Sequence, residues 1–109
     1  MTSESIIRKF KIIEAIEKNK IFAVVRAKNP IEAIEISKAL IDGGIRVIEI
    51  TMNYEKAYQA IEKISQIDNT FVAAGSVITA EQADNAINAG AKLIISPVTE
   101  MRLIKLGKS

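Results

Sequence analysis

Arg46-Val47-Ile48-Glu49-Ile50-Thr51 is the stretch on which the fold of this 109-residue chain turns. Val47, Ile48 and Ile50 are apolar and β-branched, as a parallel strand covered on both faces requires. Glu49 stands inside that run. A carboxylate in an apolar strand costs on the order of several kcal/mol unless it is paired or protonated. Two readings follow. Glu49 is a half-solvated residue near a strand end that bonds a neighbouring Lys or Arg, or it is kept there for chemistry.

Working outward, the same pattern recurs. Upstream, Ile21-Phe22-Ala23-Val24-Val25 is a short apolar run ending on Arg26, again the mark of a buried strand. Asn29-Pro30 opens a helix, with Asn29 as its cap and Pro30 in its first position, and Asp42-Gly43-Gly44 ends it. Before all of this, residues 4–18 space Ile6, Ile7, Phe10, Ile13 and Ile16 as an amphipathic helix. Downstream of Thr51 a helix is expected over about residues 54–66, with Ala57, Ala60, Ile61 and Ile64 inward. Phe71-Val72-Ala73-Ala74 is a third strand running into Gly75-Ser76. Thr79 caps the next helix, and Gln82 stands in the capping-box place. Ala83, Ala86 and Ile87 face inward, and Ala89-Gly90-Ala91 stops that helix. Lys92-Leu93-Ile94-Ile95-Ser96-Pro97 is a fourth strand, and a last helix starts at Thr99.

The order is therefore a leading helix and then four βα units, with strands beginning roughly 22–26 residues apart. Residues 1–109 read as a single α/β domain of parallel (β/α) units. Two architectures fit: an open doubly wound sheet, or the N-terminal half of a TIM-type (β/α)8 barrel. In both, right-handed crossovers bring the strand C-terminal ends to one rim, where ligands bind. Arg26, Glu49, Thr51, Ser76 and Ser96 all fall at or just past strand ends, so four strands deliver polar groups to one edge.

Composition narrows the chemistry. The chain has no cysteine, hence no disulfide frame and no thiolate chemistry. It has no histidine, which removes the commonest general base and metal ligand. Carboxylates without histidine or clustered spacing make no case for a metal, and no cofactor is expected. No Gly-rich phosphate loop is present, because Gly43-Gly44 precedes a strand rather than following one. The net charge of +2 comes from 15 basic and 13 acidic residues interspersed along the chain, so no nucleic-acid partner is expected. No apolar run reaches the roughly 18 residues of a membrane span, and Glu4, Arg8 and Lys9 break any apolar leader. No membrane partner is expected, and the chain reads as cytoplasmic.

Five motifs in order resemble one family. They are Ala23-Val24-Val25-Arg26; Gly43-Gly44-Ile45-Arg46-Val47-Ile48-Glu49-Ile50-Thr51; Ala74-Gly75-Ser76-Val77-Ile78-Thr79-Ala80-Glu81-Gln82; Ala89-Gly90-Ala91; and Ile95-Ser96-Pro97. Together they resemble the KDPG/KHG aldolases, the 2-dehydro-3-deoxy-phosphogluconate and 4-hydroxy-2-oxoglutarate aldolases, over nearly the whole chain. The resemblance implies a (β/α)8 barrel, usually trimeric, and a class I aldolase that releases pyruvate and an aldehyde through a lysine Schiff base. An imine is an electron sink, so carbon–carbon cleavage leaves a stabilised enamine. On this resemblance Glu49 is the catalytic proton carrier. Arg26 matches an arginine near the substrate carboxylate. Ser76 matches a residue, more often threonine, that contacts the pyruvate moiety. Thr51 and Pro97 fall with the substrate-binding set at the ends of the second and fourth strands.

Two departures stand against the family pattern. Asn53 occupies a place where many members carry arginine. The family's Schiff-base lysine lies on a sixth strand and its phosphate site on the last strands, whereas this chain is expected to hold four. Lys20 and Lys92 precede their strands, on the wrong rim; Lys28 is on the correct rim but in a solvated loop; Lys56 and Lys63 lie on an outer helix face. Three readings follow: a truncated or split aldolase half that is inactive alone, a half-barrel assembly module, or a keto-acid binding module without chemistry. In each, open sheet edges at the first and fourth strands predict self-association, as a dimer or higher oligomer.

Overall fold

Ile48 and Ile50 are fully buried while Glu49 between them is half-buried, so the two faces of the deciding strand have different surroundings. The computed structural model describes residues 22–96. The expected leading helix, Ile21, Pro97 and the helix expected from Thr99 lie outside the described residues. Four parallel strands form one sheet in the order β1-β2-β3-β4: β1 (Ala23–Val25), β2 (Val47–Thr51), β3 (Phe71–Gly75) and β4 (Leu93–Ile94). Three helices connect them: α1 (Pro30–Asp42), α2 (Tyr58–Ser65) and α3 (Ala80–Ala89).

Strand order equal to chain order is the singly wound arrangement of a (β/α) barrel. A doubly wound sheet would reverse direction at a switch point. The burial pattern agrees. Val25, Ile48, Ile50, Val72 and Ala74 alternate onto one face and are buried with Ala33, Ala57, Ala60, Ile61, Ile64, Ala83 and Ala86 from the helices. That single layer of helix against sheet is the core. The other face carries Val24, Val47, Glu49, Phe71, Ala73 and Leu93; Val47 and Ala73 are buried at its centre, while among the described residues its edges are open: Phe22 is 55% exposed, Val24 54% and Leu93 40%. No helix among the described residues is long and apolar enough to cross a membrane.

Local chemistry fixes the helix ends. Asn29 is extended and its side chain accepts from Glu32 N at 2.8 Å, with Pro30 opening α1. Thr79 and Gln82 form the reciprocal capping box of α3, and Gly90 closes it in the left-handed region at φ 114°. α2 begins later than expected, at Tyr58. Residues 55–57 form a turn first, and Ala57, at its N-terminus, has no capping side chain to extend the helix backwards. β4 is shorter than the expected 92–97, with only Leu93–Ile94 in register with β3.

Candidate active site

The site grows from lateral alignment across the sheet. Val24, Glu49, Ala73 and Leu93 are Cα partners in one line, and Thr51 is opposite Gly75 in the next line toward the strand C-termini. Glu49 therefore stands in the open face, one step below the rim. Its carboxylate lies across β3 rather than straight out. A Cβ placed on Gly75 would fall 2.2 Å from Glu49 Oε2 and 2.6 Å from its Cδ. The carboxylate thus rests on the bare Cα of Gly75.

Ser76 follows immediately. Its backbone is in the left-handed region at φ 56°, uncommon for a residue with a side chain. The chain turns sharply there, and Ser76 Oγ accepts from Arg26 Nη2 at 3.5 Å. Arg26 and Ser76 come from different strand ends, 50 residues apart in sequence. Arg26, Ser76 and the Glu49 carboxylate over Gly75 are thus gathered on the same rim of the open face. Arg26 donates to Ser76, so it is a hydroxyl that takes up its guanidinium in this structure.

Thr51 is placed differently from the expectation of a substrate contact. It is 1% exposed, and its hydroxyl is turned onto the chain, 3.3 Å from Val25 O and 2.5 Å from Asn53 Oδ1. Asn53 Nδ2 in turn donates to Ala27 O at 3.1 Å. The two carbonyls belong to the residues on either side of Arg26. Thr51 and Asn53 therefore fasten the end of β1 to the end of β2 and hold the backbone from which Arg26 projects. Sequence reasoning registered Asn53 only as a missing arginine; an amide, which both donates and accepts, is the residue type that can bridge in this way.

Gln82 was legible as a capping-box residue but does more. Its Oε1 accepts from Ile78 N at 2.9 Å and Thr79 N at 3.2 Å, and its Nε2 donates to Met52 O at 3.3 Å. It ties the loop after β2 to the loop after β3, on either side of the Glu49–Gly75 contact. Ser96 lies two residues past β4 on the same rim, and Lys28 is exposed in the β1–α1 loop. Pro97, the remaining expected contact, lies outside the described residues. No group of three or more metal-ligating side chains occurs among the described residues.

In the loop that follows β2, burial lifts the Tyr54 phenol above its ordinary ionisation range, and the nearby Glu32 charge adds to the effect. The hydroxyls of Tyr54 and Ser37 are closed off from solvent without a hydrogen-bond partner among the described residues.

Residues 12–109 match the family model for KDPG and KHG aldolases. A 2-dehydro-3-deoxy-phosphogluconate aldolase of Treponema pallidum is 37% identical over 94 residues, which are 85% of this chain and 45% of that protein. Among solved structures, the 2-keto-3-deoxy-6-phosphogluconate aldolase of Zymomonas mobilis ZM4 with 3-phosphoglycerate superimposes with a TM-score of 0.74 at 28% identity, covering 87% of this chain and 46% of that one. The KDPG aldolase of Legionella pneumophila, with pyruvate captured as a covalent carbinolamine, gives a TM-score of 0.68 at 32% identity over 81% of this chain and 43% of that one. The chain spans less than half the length of these relatives.

Proposed function

The chain belongs to the KDPG and KHG aldolase family, and from that premise we propose that it forms one wall of a class I aldolase site cleaving 2-keto-3-deoxy-6-phosphogluconate or 4-hydroxy-2-oxoglutarate. The observation that carries this reading is the grouping of the Glu49 carboxylate, seated on Gly75, with the Arg26–Ser76 contact on one rim.

In such a reaction a lysine amine adds to the C2 ketone, and loss of water gives an iminium. A base removes the proton of the C4 hydroxyl. The C3–C4 electron pair moves into the iminium to form an enamine, and the aldehyde leaves. Protonation at C3 and hydrolysis release pyruvate and restore the amine. Glu49 is the group of this wall able to take and return those protons. Arg26 supplies the cation, and Ser76 the hydroxyl, for the keto-acid carboxylate. Thr51 and Asn53 act through Arg26 by holding its backbone.

The family resemblance assigns the nucleophilic lysine to a sixth strand, so these 109 residues alone are expected not to catalyse cleavage. Borohydride trapping with pyruvate, read by mass spectrometry, tests this. The expected result is no adduct, with pyruvate binding that Arg26→Ala weakens. An adduct on Lys28 or another lysine would overturn the inactive reading, and absence of any pyruvate binding would overturn the site itself.

A second reading concerns assembly. The exposed apolar residues of the open face cluster at its two edges, Phe22 and Val24 beside β1 and Leu93 and Ile95 beside β4. Parallel edges left unpaired among the described residues and flanked by apolar side chains favour association. A dimer or higher oligomer of this chain is expected in sedimentation at tens of micromolar, roughly the working range of such a measurement. A compact monomer there would count against it.

A further inference from the structure

Gly75 ends β3 in an ordinary strand conformation, without the positive φ seen at Gly44 and Gly90. Its backbone would accept any residue. Glycine inside a strand is disfavoured by its extra chain entropy, and where it is kept, something often approaches the backbone closely. Here the close neighbour is one side chain. Glu49 Oε2, Cδ and Cγ would lie 2.2, 2.6 and 2.8 Å from a Cβ at this position, all inside van der Waals contact.

We propose that Gly75 is the positioning residue for Glu49. By lacking a side chain it opens a seat on β3 into which the carboxylate folds, next to Ser76 and the Arg26 contact. Any side chain at position 75 would push the carboxylate out of that seat. The seat matters for catalysis only if the aldolase reading holds, but its existence is testable without any activity.

The test is a double-mutant cycle on the 109-residue chain, read as the equilibrium constant for unfolding in urea. Gly75→Ala alone should raise that constant severalfold, the part of the steric coupling that remains once the flexible Glu49 side chain swings out of the seat. In the Glu49→Gln background, where side-chain size is unchanged, the increase should be the same. In the Glu49→Ala background the clash is gone. There Gly75→Ala should lower the constant by about two- to fivefold, the gain expected where alanine fits the backbone. In the folded Gly75→Ala variant the carboxyl carbon resonance of Glu49 should move, as displacement from the seat requires. The same effect of Gly75→Ala in all three backgrounds would overturn the proposal. If Gly75→Ala does not fold, the Glu49→Ala/Gly75→Ala double variant should fold, and its failure to do so would overturn the proposal too. Absence of pyruvate binding to the parent chain, with the cycle behaving as expected, would refute the aldolase reading and leave the seat standing.

Discussion

Asn53→Asp gives the sharpest separation between a positioning role and a solvent-exposed bystander. Asn53 is exposed, and an exposed polar exchange ordinarily changes stability by less than about 0.5 kcal/mol. Its amide, however, accepts from Thr51 Oγ1 at 2.5 Å and donates to Ala27 O at 3.1 Å. Aspartate keeps the first bond and loses the second. It also sets a carboxylate oxygen against a carbonyl oxygen, two acceptors with no proton between them. A net hydrogen bond contributes about 0.5–1.5 kcal/mol, and an acceptor left facing a like partner adds to its loss. Ala27 is 4% exposed, so water has limited access to replace the lost donor. A destabilisation of about 1–2 kcal/mol follows. With a urea slope of about 1–2 kcal/mol/M for a chain of this size, the midpoint should fall by about 1 M. Asn53→Ala loses both amide bonds but introduces no repulsion, and Thr51 retains Val25 O at 3.3 Å. It should cost about 1 kcal/mol, no more than the aspartate. Because the affected carbonyl adjoins Arg26, pyruvate affinity should fall alongside stability. Equal stability of Asn53→Asp and the parent chain would refute the idea that this amide holds the Arg26 segment.

Other outcomes follow from single contacts. Arg26→Ala should leave stability within about 0.5 kcal/mol, because its one side-chain bond among the described residues is 3.5 Å long and exposed; pyruvate affinity by calorimetry should nevertheless drop about tenfold or more, the scale of a lost charge-assisted bond. Ser37→Ala should stabilise by about 1 kcal/mol in urea denaturation, since it removes a buried hydroxyl that has no partner among the described residues and improves helix propensity. Gly90→Ala should destabilise by about 2 kcal/mol or more: φ is 114° there, and an added Cβ would lie 2.6 Å from Ser65 Oγ, breaking the bond from that hydroxyl to Ala89 O. For Tyr54 the folded state holds its proton more tightly than the unfolded one, whose value is near 10.0. Its contribution to stability is therefore complete below that pH and lost as pH rises through the higher folded value. Ultraviolet titration should show Tyr54 ionising late, and Glu32→Gln should bring its midpoint partway down.

The parts of the fold visible in the sequence were those governed by local chemistry. Asn29-Pro30 and Thr79 with Gln82 mark helix starts because the capping bonds are made within four residues of chain. Ile48 and Ile50, with Val72 and Ala74, mark the covered sheet face because alternation is a property of the strand itself. The start of α2 was set too early because Tyr54 and Ala57 keep apolar spacing through a turn, which periodicity alone does not distinguish from a helix. The choice between a doubly wound sheet and a barrel could not be made from the residues alone, since strand order is a tertiary fact; the sequential order decides it. At the rim, Arg26, Glu49 and Ser76 were legible as polar residues at strand ends. The parts played by Gly75 and Asn53 were not. One acts by lacking a side chain beneath a residue of another strand, and the other by bonding a carbonyl 26 positions away. Neither leaves a local signature.

The most direct measurement is an amide and arginine side-chain NMR titration of this chain with pyruvate. The account predicts saturable shifts at Arg26 Nε and at the amides of Gly75, Ser76 and Val77, lost in Arg26→Ala, with the helix-covered residues Ile48 and Val72 unmoved. Saturable shifts confined to the helices, or a rim that stays silent as pyruvate is added, would contradict it.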